Sequence, residues 1–151
     1  MRRVAAGVVA AALALASSLA VVSEGTKHVP YRDPVGVLTV CTGHTGTDIR
    51  PNKTYTDAEC STLLSADAQH AMQVVLDNTT GDITPSELAA LTDFTFNVGE
   101  GNFKRSTLLK LWNQGKHAEA CRELPKWVYA GGVKLKGLVI RRAKEMALCL
   151  S

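Results

Sequence analysis

Glu24, Asp33 and Thr39 place two carboxyl groups and a hydroxyl within one short stretch of chain, and these are the first two acids in the sequence. Nine residues separate the acids, so on a continuous helix they would point to opposite sides. Pro30 argues against such a helix in any case. If the two cooperate, a bent loop must fold one towards the other, and the Pro34/Gly36 turn can then return a strand that brings Thr39 alongside. A carboxyl, a second carboxyl and a hydroxyl converging on one cleft suit glycoside hydrolysis. One carboxyl protonates the leaving oxygen; the other, ionised, activates water or stabilises developing positive charge. The acid must be desolvated enough to hold its proton while its partner stays solvated and charged. A hydroxyl that both donates and accepts can orient the water. Spacing alone also fits two surface charges and a strand residue, because acids at arbitrary separations are common.

The elements that must position these residues can be read from texture. Residues 24–55 are rich in Gly, Pro, Thr and Val, with short alternating runs such as 35–41, and predict a small β-hairpin region. The texture changes at Thr56. Thr56-Asp57-Ala58-Glu59 is a capping box, and Cys60, Leu63, Leu64, Ala68, Ala71, Met72 and Val75 follow at helical spacing, which predicts a long helix. A second box, Thr84-Pro85-Ser86-Glu87, opens a helix carrying Leu88, Leu91 and Phe94 and ending near Gly99, where the turn of residues 99–102 follows. Further helices are expected over 106–113, 116–124 and 138–150. The fold class is α+β, a small β-hairpin subdomain followed by a helical bundle. A chain of 151 residues suits one well-cored domain with an N-terminal appendage, which divides it into residues 1–23 and 24–151.

The appendage is a run without charge. Residues 4–22 are eight Ala, five Val, three Leu, two Ser and one Gly. As a helix the run would span about 28 Å, close to the ~30 Å of bilayer hydrocarbon. Most of it is Ala, Ser or Gly, which gain little from lipid, so the segment can insert while holding loosely. Arg2 and Arg3 precede it and are expected to keep that end in the cytoplasm, sending the body across the inner membrane. Cys41, Cys60, Cys121 and Cys149 all lie beyond the run, an even number in a compartment that permits disulfides. Four cysteines allow three pairings. Cys41–Cys60 and Cys121–Cys149 are preferred, since each joins segments expected within one subregion and closes a moderate loop. No two cysteines stand at zinc-ligand spacing, so no metal and no cofactor is expected. The net charge of +3 is mild, and no nucleic-acid-binding motif accompanies it.

The stretch from Glu24 through Asp33 to Thr39, followed by Gly43-His44-Thr45-Gly46, resembles the catalytic signature of the phage-type lysozymes. The similarity continues through residues 55–60, Phe96-Asn97-Val98-Gly99, residues 106–109, residues 127–132, Gly137-Leu138 and Arg141-Arg142, covering the whole body. With its Ala/Gly-rich beginning, the chain is most similar to the signal-anchor-release endolysins of lambdoid phages. The resemblance implies a lysozyme-like fold and a muramidase that cuts the β-1,4 bond between N-acetylmuramic acid and N-acetylglucosamine in peptidoglycan. It implies Glu24 as general acid, Asp33 as second carboxylate and Thr39 as the residue placing the water. The separation of the carboxyls, which sequence does not supply, decides between inversion and retention. It also implies an ion pair of His44 with Asp67 between hairpin and helix. The enzyme is expected to act as a monomer in the periplasm after leaving the membrane.

Several residues keep two readings at this level. Residues 126–144 contain six basic groups and no acid, alongside Trp127 and Tyr129, and could form a cleft wall or an ordinary solvated face. Asn97 could end a buried helix or meet substrate, and Gly131-Gly132 could form a turn or allow close approach to a sugar. Ser18-Leu19-Ala20 also fits a signal-peptidase site, so cleavage after Ala20 competes with release of the intact segment. An exported wall-binding module without catalysis and a membrane-tethered structural protein remain alternatives to the enzyme.

Overall fold

A central helix surrounded by other helices organises the body. The structure, a computed structural model, describes residues 4–151; Arg2 and Arg3, the charges expected to orient the N-terminus, lie outside them. Helix α3 (Pro85–Val98) is buried along Leu88, Ala89, Ala90, Leu91, Thr92, Asp93, Phe94 and Thr95. Burial on so many sides requires neighbours all round, and α3 packs against α1 (Ala6–Glu24), α2 (Asp57–Asn78) and α7 (Lys136–Leu150). Both capping boxes form. Thr56 accepts from the Glu59 N–H at 3.1 Å, and Thr84 accepts from the Glu87 N–H at 3.1 Å, while each glutamate reaches back to the cap N–H. Local chemistry thus sets both starting points.

The 19 residues of α1 are long and apolar enough to cross a membrane, yet here the helix is part of the core. Ala12, Ala16 and Ala20 form a buried i, i+4 stripe, and their small side chains let α1 lie close to α3 and α2. Val8, Val9 and Leu13 flank the stripe against the same core, while Leu15, Val21 and Val22 stay exposed on the outer face. The helix runs through Glu24 and stops at Gly25, whose φ is +67°. Glu24 therefore occupies the last turn of a regular helix, not the irregular stretch that its Gly/Pro surroundings suggest.

Strands β1 (Lys27–Arg32), β2 (Leu38–Cys41) and β3 (His44–Thr45) form one antiparallel sheet in that order. The register sets Tyr31 opposite Thr39 and Thr39 opposite Thr45. A second small core of Val40, Cys41, Ile49, Tyr55 and Cys60 lies under this sheet, apart from the helical core. The remaining elements are α4 (Glu100–Lys104), α5 (Thr107–Asn113), α6 (His117–Cys121), a 3-10 turn (Leu124–Lys126) and a hairpin of β4 (Tyr129–Ala130) and β5 (Val133–Lys134). Three helices, α4, α6 and α7, depart from sequence expectation. Gly99, at φ +89°, ends α3 and starts α4 where only a turn was expected. The helix expected over 116–124 stops at Cys121 and gives way to the 3-10 turn, because Pro125 has no N–H to bond the Cys121 carbonyl four residues back. Helix α7 begins two residues early, at Lys136. Disulfides join Cys41 to Cys60, tying β2 to the first turn of α2, and Cys121 to Cys149, tying α6 to α7. Closing loops of this size stabilises by about 3 kcal/mol each in the chain-entropy account.

Candidate active site

Between the helical core and the sheet runs a cleft of about 750 Å³ whose lining includes Glu24, Tyr31, Asp33, Thr39, Asn97, Trp127, Tyr129 and Arg141. Three separate elements deliver the three residues singled out from the sequence. Glu24 enters from the end of α1, Asp33 from the turn after β1, and Thr39 from β2.

The Asp33 turn is built by its own side chain. Its Oδ1 accepts from the backbone N–H of Val35 at 3.0 Å and of Val37 at 2.8 Å, while Gly36, at φ +87°, closes the reversal. An aspartate that caps its own turn is held in one rotamer, and these bonds engage Oδ1 alone among the described residues. Thr39 is buried, and its hydroxyl donates to the Val37 carbonyl at 2.9 Å. Its proton being committed, the hydroxyl presents lone pairs and can accept a bond from a water. Tyr31 shares the cleft; burial, followed by the negative charges of Glu24 and Asp33, pushes its phenol above the ordinary value, so it remains a neutral donor.

Glu24 is the most constrained of the three. Its Oε1 is bonded by Arg141 Nη1 and also accepts from Asn97 Nδ2 at 3.4 Å. The Asn97 amide is oriented from its other end, where Oδ1 accepts from Arg142. On the third side the backbone of Gly43 closes in: a Cβ there would lie 3.2 Å from the Glu24 carboxyl carbon, and φ is +75°. Contact and conformation thus both require glycine at 43.

Sequence reasoning placed Arg141 and Arg142 in a basic stretch that could have been a solvated face. Both are buried instead. Arg141 forms a two-bond fork with Asp93, Nε to Oδ2 at 2.9 Å and Nη2 to Oδ1 at 2.8 Å. Arg142 bonds both oxygens of Glu145, at 2.8 and 2.7 Å, and donates to the Trp127 carbonyl at 3.0 Å. Asp93 and Glu145 were not singled out from sequence. Their signals were the one charged residue in the stretch 88–96, whose other members are apolar or Thr, and a glutamate at i+3 and i+4 from adjacent arginines. Trp127 packs edge-on against Phe94, with centroids 5.3 Å apart, and Tyr129 is exposed on the cleft wall. Gly131 and Gly132, at φ +57° and +79°, make the β4–β5 turn, and a Cβ on Gly131 would stand 3.5 Å from Val35. The tips of the two hairpins therefore approach each other beside the cleft. Among the described residues no group of three His, Cys, Asp or Glu is placed to hold a metal.

His44 stands behind the site and ties the sheet to α2. Its Nδ1 lies 2.7 Å from Asp67 Oδ2 and its Nε2 lies 3.0 Å from Asp48 Oδ1. Burial works against the charged ring, but the hydrogen bonds and charges of Asp67 and Asp48 outweigh it and hold the pKa above the ordinary 6.5. A group raised on folding contributes its full stabilisation below the unfolded value and loses it as pH rises through the folded one. The melting temperature should therefore fall as pH is raised above 6.5, and His44→Gln should be less stable below that pH and flatten the dependence above it. Melting curves of both proteins from pH 5 to 9 check this, and parallel curves would contradict it.

The phage lysozyme family model matches residues 22–145. A SAR-endolysin of Bacteriophage PS119 is 50% identical over 127 residues, covering 84% of this chain and 76% of the relative. The SAR-endolysin of Enterobacteria phage PA-2 is 47% identical over 127 residues, covering 84% and 77%. Among solved structures, the active form of the P1 phage endolysin Lyz superposes with a TM-score of 0.79 at 28% identity, covering 89% of this chain and 83% of that one.

Proposed function

The chain belongs to the phage lysozyme family, and from that premise we propose that it hydrolyses the β-1,4 bond between N-acetylmuramic acid and N-acetylglucosamine, with Glu24 as general acid, Asp33 as second carboxylate and Thr39 as the water-placing hydroxyl. It is a lysozyme, and its work is the lysis of peptidoglycan. The observation carrying the residue assignment is that one cleft holds Glu24, delivered by a helix end, together with Asp33 and Thr39 on the sheet. Glu24 then protonates the departing sugar oxygen, and Asp33 activates the water or faces the developing oxocarbenium charge. Thr39, its proton bonded to Val37, accepts from that water and fixes its direction. Asn97 and Arg141 hold the Glu24 carboxyl in place.

Purified wall incubated with the enzyme should yield new reducing ends without new free amines; free amines would indicate amide cleavage, and wall binding without either product would indicate a binding module. Asp33→Asn should lower the rate by about 10²-fold or more, the range of a lost acid–base group. Thr39→Ala should lower it less, since a second water can partly replace a hydroxyl. A Thr39→Ala rate below that of Asp33→Asn would reverse these roles.

The same reading extends to delivery. Residues 1–23 act as a signal anchor that first spans the inner membrane, N-terminus in the cytoplasm, and is then released whole into the periplasm. Support comes from α1, which is at once a candidate span and a core element. Cleavage after Ala20 would strip Ala12 and Ala16 from the core and bare the face of α3 that they cover. Spanning and folding are mutually exclusive for this helix, so Glu24 cannot join the cleft until α1 leaves the bilayer. Fractionation before and after depolarisation checks this. Full-length protein should move from membranes to the soluble fraction as activity appears, whereas a soluble pool beginning at Val21 would establish cleavage.

A further inference from the structure

Apolar side chains left in water call for an explanation when they gather at a binding cleft. Tyr129 on β4 is 62% exposed, and Val35 and Val37 in the Asp33 turn are 55% and 43% exposed, yet all three line the cleft. They come from two hairpins that are distant in sequence and approach at their tips, where a Cβ on Gly131 would stand 3.5 Å from Val35 Cγ1, an ordinary contact distance. The lining around Glu24 is different, because Asn97 and Arg141 make it polar. The cleft is thus apolar beside the Asp33 turn and polar beside Glu24.

The fold makes little use of the Tyr129 ring. Among the described residues it meets no other aromatic ring and no cation, and at its exposure it adds little to the core. Its neighbour Trp127 is the opposite case, with its ring edge-on against Phe94 and its carbonyl accepting from Arg142 at 3.0 Å. Those contacts anchor the base of the β4–β5 hairpin, and the Leu135 N–H extends its ladder by donating to the Val128 carbonyl at 2.9 Å. At the other end Gly131 and Gly132, both at positive φ, form a two-residue turn whose twist matches that of the paired strands. Tyr129 therefore presents an open aromatic face from a backbone that is held on both sides.

We propose that Tyr129 is a sugar-binding platform: an N-acetylated hexosamine ring of the glycan lies with its C–H face on the Tyr129 ring, and Val35 and Val37 shield the same subsite from water. The inference rests on the muramidase reading and adds a residue that holds substrate without taking part in proton transfer. The match is chemical. A pyranose has apolar faces of C–H bonds and a rim of hydroxyl and amide groups, and the partly positive C–H hydrogens suit the negative face of an aromatic ring. The rim groups stay free to bond water and the polar lining. A tyrosine offers this flat area at low conformational-entropy cost, since only two χ angles are fixed. A stem peptide, flexible and charged, gains less from a flat ring and is the rival occupant. Contact with a ring face does not change as the glycosidic bond breaks, so its loss weakens binding without slowing the chemical step.

The test uses the full-length released enzyme carrying Glu24→Gln, which binds glycan without consuming it, and measures affinity by calorimetric titration with soluble peptidoglycan strands stripped of their stem peptides. Adding Tyr129→Ala should weaken binding about tenfold. Tyr129→Phe, which keeps the ring, should bind as the parent does. With Glu24 intact, Tyr129→Ala should raise the half-saturating strand concentration by the same factor and leave the rate at saturation in place. Its melting temperature should match the parent's, because the side chain is exposed. Equal affinity of the alanine and parent chains overturns the proposal. So does a loss confined to strands that still carry stem peptides, which would make the peptide the occupant, or a fall in the saturated rate at unchanged affinity. Failure of the unsubstituted enzyme to release reducing ends from wall would instead defeat the muramidase reading, so the two failures are distinguishable.

Discussion

Glu24→Gln is expected to lose wall hydrolysis by about 10²- to 10⁴-fold, the contribution of a positioned general acid, while keeping its fold. The amide oxygen can still accept from Arg141 Nη1 and Asn97 Nδ2, so the bonds that locate the side chain survive. Its length and shape are unchanged, so the Gly43 backbone that abuts the carboxyl is not displaced. What disappears is a proton that can be given to the leaving oxygen. Asp93 still forks onto Arg141, so the substitution does not leave that buried arginine unpaired, which would be strongly destabilising. Release of dyed fragments from purified wall, measured beside circular-dichroism melting, checks both halves. A variant that unfolds normally and hydrolyses at the wild-type rate would remove Glu24 from the mechanism.

Ala16→Leu is expected to trap the enzyme in the membrane and suppress lysis. Ala16 is 3% exposed and sits in the middle of the stripe that brings α1 against α3. A branched four-carbon side chain there forces the helices apart, and overpacking of this kind costs about 1–3 kcal/mol. In the bilayer the same change is favourable, because leucine partitions into lipid far better than alanine. Both effects oppose release, and a shift of about 2 kcal/mol corresponds to roughly thirtyfold in the released fraction. Ala14→Leu provides the control: Ala14 faces outward, so that variant adds the same apolarity without the clash and should be retained less strongly. The released, active fraction after depolarisation checks the order. Equal retention of both variants would show that lipid affinity alone governs exit and that the Ala stripe has no part in it.

The two predictions draw on the last turn and the middle of one helix, and the helix shows how composition and packing divide the work. The small residues that would make residues 4–22 hold only loosely in a membrane are those that permit close approach to α3. Composition reveals the first property, because transfer free energy adds residue by residue. It does not reveal the second, which depends on the partner surface of α3 that α1 meets.

What the amino-acid sequence determined by itself is local. The capping boxes at Thr56 and Thr84 set the starts of α2 and α3, since cap and acceptor lie three residues apart and need no distant partner. Asp33 builds its turn with backbone groups two and four residues on, again within reach of local chemistry. The α+β class follows from such signals, although α1 joins the core ahead of the first strands and a second hairpin, β4–β5, precedes α7. What only the tertiary structure decided concerns groups far apart in the chain. Arg141 reaches Glu24 across 117 residues and Asp93 across 48, and Asn97 reaches Glu24 across 73. Read along the sequence, Arg141 and Arg142 belong to a basic run that water could solvate. Folding carries them out of water, and a buried cation must find carboxylates. The environment of Glu24 is therefore set by α3 and α7, because the interaction of charges depends on their separation in space and on the exclusion of water, neither of which is encoded by position along the chain.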